Sequence, residues 1–67
     1  MMKFKPGDLV KIRDGTHADE IPDHRVGLII EHAEASGNYT ESYTVIFLGT
    51  DVQLKFHEMF LEHFTTS

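Results

Sequence analysis

Four short runs of this chain alternate apolar with polar residues or are dense in β-branched and aromatic ones, and turn-forming residues separate them. A period of two is the mark of a half-buried strand, so the pattern predicts a β protein. Leu9-Val10-Lys11-Ile12-Arg13 follows the turn signal Pro6-Gly7-Asp8 and is ended by Asp14-Gly15. Arg25–Glu31 is a β-branched run with room to extend to Glu34. Ser42–Leu48 has the clearest strand composition. Over Asp51–Phe56, Val52, Leu54 and Phe56 share one face. Gly49-Thr50, between the last two runs, suits a two-residue type II′ hairpin loop. His57–Phe60 reads as a single 3-10 turn and Leu61–Phe64 as a closing strand. The alternative for this end is one amphipathic helix over 55–64, because Phe56, Met59, Phe60 and Phe64 also fall at helical spacing.

Sixty-seven residues suffice for one core, so a single domain over 1–67 is expected. A domain this small buries only roughly 60% of the surface its unfolded chain exposes. With no cysteine, neither disulfides nor thiolate metal sites can supplement that core, and a reducing compartment is a natural home. No apolar run approaches the roughly 20 residues that span a bilayer. Met1-Met2-Lys3-Phe4-Lys5-Pro6 lacks the apolar core of a signal peptide, so a cytoplasmic protein without membrane contact is expected.

The motif Phe4-x-x-Gly7-Asp8-x-Val10-x-Ile12, followed by Gly27-x-Ile29, Tyr43-x-Val45-x-Phe47 and a terminal Leu61 after a turn, resembles the small SH3-like barrel superfamily. Ribosome-associated KOW modules, a photosystem accessory protein and many small bacterial and phage accessory proteins belong to it. The resemblance covers most of the chain. It implies an all-β, five-stranded SH3-like barrel with a short 3-10 turn before the last strand. It implies little about function, which lives in sites grafted onto folds.

Little in the chain points to catalysis. There is no cysteine nucleophile, and Ser36, Ser42 and Ser67 stand in no nucleophile-elbow context. The five glycines are spaced as turn or bulge residues and make no phosphate cradle. No enzyme and no cofactor are therefore expected. His17, Asp19, Glu20, Asp23 and His24 crowd one loop, and His with carboxylates can hold zinc or manganese. A loop-based metal binder using His17 and His24 is thus a weak alternative, opposed by the lack of a rigid scaffold or ligand spacing. His32, His57 and His63 read as surface residues.

The net charge of −5 argues against nucleic acid as the main ligand. Its distribution is uneven, however, with Lys3, Lys5, Lys11 and Arg13 clustered before residue 14. Arg25 and Lys55 could join them, and Tyr39 or Tyr43 could stack on bases. A KOW-like nucleic-acid module using this basic stripe is the main rival reading.

The more informative feature is an excess of apolar residues. Tyr43, Val45 and Phe47 face one side of their strand while Ile46 and Leu48 face the other, and Ile29 opposes Leu28 and Ile30 in the same way. Strands that are apolar on both faces expect cover on both. The 16–24 loop, Phe4 or the Met59-Phe60 turn could provide it. Otherwise Leu9, Leu28, Ile30, Ile46, Leu48 and Phe60 form an exposed patch, framed by the 16–24 and 33–41 loops, for a protein partner or for self-association. A non-enzymatic accessory or structural interaction module is the function expected.

Overall fold

The computed structural model describes residues 4–16, 19–33 and 41–65. Strands β1 (Leu9–Ile12), β2 (Val26–Ala33), β3 (Ser42–Phe47) and β4 (Gln53–His57) are followed by a 3-10 turn (Glu58–Phe60) and by β5 (Leu61–His63). All pairings are antiparallel, and the five strands form one sheet in the order β4-β3-β2-β1-β5. The all-β class, the five strands and the 3-10 turn before the last of them are as the sequence predicts. The helical alternative over 55–64 is not adopted.

The sheet curls but, among the described residues, does not close into the barrel that the resemblance implies. Only the three-residue 3-10 turn joins β4 to β5, so the two outermost strands of the sheet approach each other at one end. They do not pair, and among the described residues each is left as an edge. Among the described residues, too, no helix is long and apolar enough to cross a membrane.

The curled inner face holds the core. Val10 and Ile12, Ile29, Tyr43, Val45 and Phe47, Phe56 and Leu61 contribute from the five strands, and Phe4 packs among them from the N-terminal side. Phe4 meets the Tyr43 ring edge-on at 5.3 Å, and Phe47 meets Phe56 edge-on at 6.2 Å, geometries that aromatic quadrupoles favour. Gly27 sits opposite Phe47 and Val10 on this face. A Cβ there would lie 2.6 Å from both the Ile46 carbonyl oxygen and a Val45 methyl, so glycine lets β2 and β3 close over the core.

Two local features depart from the sequence expectation. Thr50 N–H donates to the Phe47 carbonyl, and Phe47 N–H donates to that of Val52, so residues 48–51 make a longer connection than a two-residue loop at Gly49-Thr50. Gly49 takes φ 75° at the third position of this turn, a left-handed conformation that glycine adopts without steric cost. The second departure is a bulge. Ile29 pairs with Val45 but Glu31 pairs with Thr44, which leaves Ile30 as an extra residue in β2. The bulge reverses the alternation beyond it and sets His32 opposite Tyr43. His32 therefore lies against the Tyr43 ring, centroids 5.0 Å apart, with its side chain only 11% exposed. It is not the surface residue its position at a strand end suggested.

Candidate protein interface on the outer face of the sheet

The register assembles the outer face row by row. Gln53, Ile46, Leu28 and Leu9 stand side by side across β4, β3, β2 and β1. Phe64 N–H donates to the Leu9 carbonyl at 3.0 Å, and alternation from inward-facing Leu61 carries Phe64 to the same side as Leu9. On one flank Leu48 N–H donates to the Val26 carbonyl, Val26 pairs with Lys11, and Lys11 pairs with Glu62. On the other flank stand Lys55, Thr44 and Glu31. An apolar band thus crosses the sheet along the central row and takes in Leu48 and Val26 at one end of the first flank, with Lys11 and Glu62 on the rest of that flank and Lys55 and Glu31 on the other.

Five of the six predicted interface residues meet on this band. Leu9, Leu28 and Ile46 are half-buried in its central row, while Ile30 at the bulge is 42% exposed and Leu48 is 43% exposed. Phe60 is elsewhere. It lies on the 3-10 turn with its ring 6.4 Å from that of His57, and its carbonyl accepts from Arg13 N–H. The Lys11–Glu62 pair separates it from Leu9 along β1 and β5. Two members of the band escaped sequence reasoning. Val26 shares the parity of Leu28 and is buried without joining the core cluster, and Phe64 joins through its bond to Leu9. The parity of Val26 was readable in the sequence, but the neighbour of Phe64 required the β1–β5 register.

The covers that the sequence offered for this face serve other places. Phe4 belongs to the inner core and Ile21 packs against it, while Met59 stands 56% exposed on the 3-10 turn. The 33–41 loop that would frame the patch lies mostly outside the described residues.

Lys11 and Arg13 both follow the outward parity of β1. Lys11 stands opposite Glu62, and the Arg13 Nε donates to the Leu61 carbonyl at 3.3 Å. Lys5 is exposed in a turn where its N–H donates to Asp8 Oδ2 and its carbonyl accepts from Asp8 N–H, and Lys3 lies outside the described residues. Arg25 does not extend this group, because its guanidinium is spent on the carbonyls of Ile12, Arg13 and Thr16. Lys55 is three strand positions away, on β4. Of the stacking candidates, Tyr43 is wholly buried and Tyr39 lies outside the described residues.

The metal alternative meets a similar dispersal. His17 lies outside the described residues. The His24 Nδ1 accepts from Val26 N–H at 3.0 Å, so the proton sits on Nε2, which donates to the Leu48 carbonyl at 3.0 Å. Both ring nitrogens thereby brace β2 against the end of β3. Among the described residues no three His, Cys, Asp or Glu side chains converge as metal ligands. The other polar cluster joins His32, Glu41 and Tyr43. The Tyr43 hydroxyl accepts from Phe4 N–H and donates to Glu41 Oε2, each at 3.3 Å. His32 Nε2 lies 3.4 Å from the same oxygen but lacks the geometry of a hydrogen bond, so that contact is a loose one. This cluster ties the N-terminal segment to β3.

Compared with family models, curated proteins and solved structures, the chain matches none. The fold and the band define a class and no more: a small open-sheet β domain with apolar residues on both faces.

Proposed function

We propose that this protein is a non-enzymatic interaction module, an accessory or structural component that docks through the outer face of its sheet. The observation that carries the reading is the continuous row Leu9–Leu28–Ile46, flanked by exposed Ile30 and Leu48, on the side away from the core. Contiguous exposed apolar patches larger than a few hundred Å² mark protein interfaces. The charged residues beside the band, Lys11 and Glu62 on one flank and Lys55 and Glu31 on the other, suit a polar rim around an apolar centre. The absence of cysteine is consistent with a cytoplasmic setting.

The test is capture from source cells with the wild-type chain, Ile46→Lys and Leu28→Lys. The expected result is a partner retained by the wild type and lost by both variants, which keep the wild-type far-UV circular dichroism and unfolding midpoint. Capture that survives both changes overturns the reading. A variant that unfolds places its residue in the core and removes it from the interface.

A further inference from the structure

The two edges of the open sheet are unequal. β5 is three residues long, whereas β4 has five and follows Asp51 and Val52 directly. Hydrogen bonds from Phe47 N–H to the Val52 carbonyl and from Glu58 N–H to the Glu41 carbonyl bracket the β3–β4 ladder. Bonded and non-bonded pairs alternate in an antiparallel ladder. Val45/Leu54 and Tyr43/Phe56 are therefore the bonded pairs, while Gln53 and Lys55 turn their backbone N–H and C=O groups to the open side. No described strand pairs with that side.

The residues along this edge complement their own reverse. Asp51-Val52-Gln53-Leu54-Lys55 reads acid, apolar, amide, apolar, base. Asp51, Gln53 and Lys55 are exposed, while Val52 and Leu54 are half-buried and pack against the core. We propose that β4 pairs antiparallel with β4 of a second copy about a two-fold axis at Gln53, making one sheet continuous through both copies. That register sets Lys55 against Asp51 of the second copy, and Asp51 against Lys55, on the outer side. It also sets Leu54 against Val52 and Val52 against Leu54 on the inner side, covering what apolar surface each leaves open. Opposite charges and apolar pairs at directly opposed positions are the favourable cross-strand combinations, whereas a register centred on Lys55 would oppose two like charges. The general repulsion between two copies of net charge −5 is screened beyond about 8 Å at physiological salt.

This pairing uses an edge and not the outer face, so it is independent of docking through that face. It has a consequence for such docking, because the rows ending at Gln53 would lie end to end, placing two apolar bands on one face with the paired Gln53 amides between them. A five-residue edge buries less than the roughly 1,200 Å² of a stable interface, so the dimer is a weak one, of roughly micromolar to millimolar dissociation constant.

Sedimentation velocity from dilute solution into the millimolar range tests it, beside variants on the edge. Lys55→Asp and Asp51→Lys should each weaken the dimer about tenfold, and the two together should return it to near the wild-type constant. The chain has no cysteine, so Gln53→Cys introduces a single thiol. Bonded antiparallel pairs hold their Cα atoms about 5.5 Å apart, within disulfide reach, so this variant should cross-link under mild oxidation and Ile46→Cys should not. A monomer throughout the range overturns the proposal, as does a dimer indifferent to the charge reversals. Faster cross-linking at Ile46→Cys also overturns it and points to contact between outer faces, which leaves the docking reading intact.

Discussion

Arg25 takes φ 59°, a left-handed conformation that costs an L residue about 1–2 kcal/mol. Its own guanidinium offsets that cost. Nε donates to the Ile12 carbonyl at 3.3 Å, and the terminal nitrogen donates to those of Arg13 and Thr16 at 2.7 Å. One side chain thus closes the end of β1 and the turn after it, while the Arg25 carbonyl accepts from Ile12 N–H. Arg25→Ala keeps the strain and loses the bonds, so a drop of about 2 kcal/mol is expected in urea unfolding. Arg25→Gly loses the same bonds but releases the strain, and should be the milder change by about 1 kcal/mol. Equal losses would mean that the strain is negligible. No local pattern in the sequence hints at this role, because the clamp joins residues nine to thirteen apart that only the β1–β2 pairing brings together.

Among the elements, the β3–β4 connection shows how a turn can be braced by one hydroxyl. Thr50 Oγ1 donates to the Phe47 carbonyl at 2.9 Å and accepts from Val52 N–H at 3.0 Å. Thr50→Ala removes both bonds and should cost about 1 kcal/mol by chemical denaturation, whereas Thr50→Ser should stay close to wild type. A neutral Thr50→Ala would show that the backbone bonds alone hold the turn. The strands themselves were largely legible, each within about two residues, because alternation is a local property of the chain. The turn was less so. Glycine suits both the two-residue loop and the longer one, and the choice between them rests on which residues of β3 and β4 face each other. The bulge at Ile30 was illegible for the same reason: nothing in Leu28-Ile29-Ile30-Glu31 distinguishes a bulged from a regular strand.

At the scale of the whole molecule, one core cluster draws side chains from all five strands. No strand can leave without opening that core, so unfolding should be a single cooperative transition. Far-UV circular dichroism and, in a Tyr39→Phe background, the fluorescence of fully buried Tyr43 should therefore report the same urea midpoint. Separated midpoints would show that β4 or β5 peels from the open edges before the rest. For a chain of 67 residues, a total stability of about 3–10 kcal/mol is expected.

By itself the sequence determined the β class and, within each regular strand, which residues share a face. Side chains alternate along a strand wherever no bulge interrupts it, so Tyr43, Val45 and Phe47 turn to one side and Ile46 to the other whatever they meet. It determined likewise that apolar residues were left over for a second face. Only the tertiary structure decided which of them are neighbours. Leu9, Leu28 and Ile46 form one row because three strands pair in one register, and Phe64 joins it while Phe60 is turned away by the 3-10 turn. The edge that β4 presents among the described residues is a decision of the same kind. Pairing joins residues distant in sequence, and no local pattern states which strand will be left with one side free.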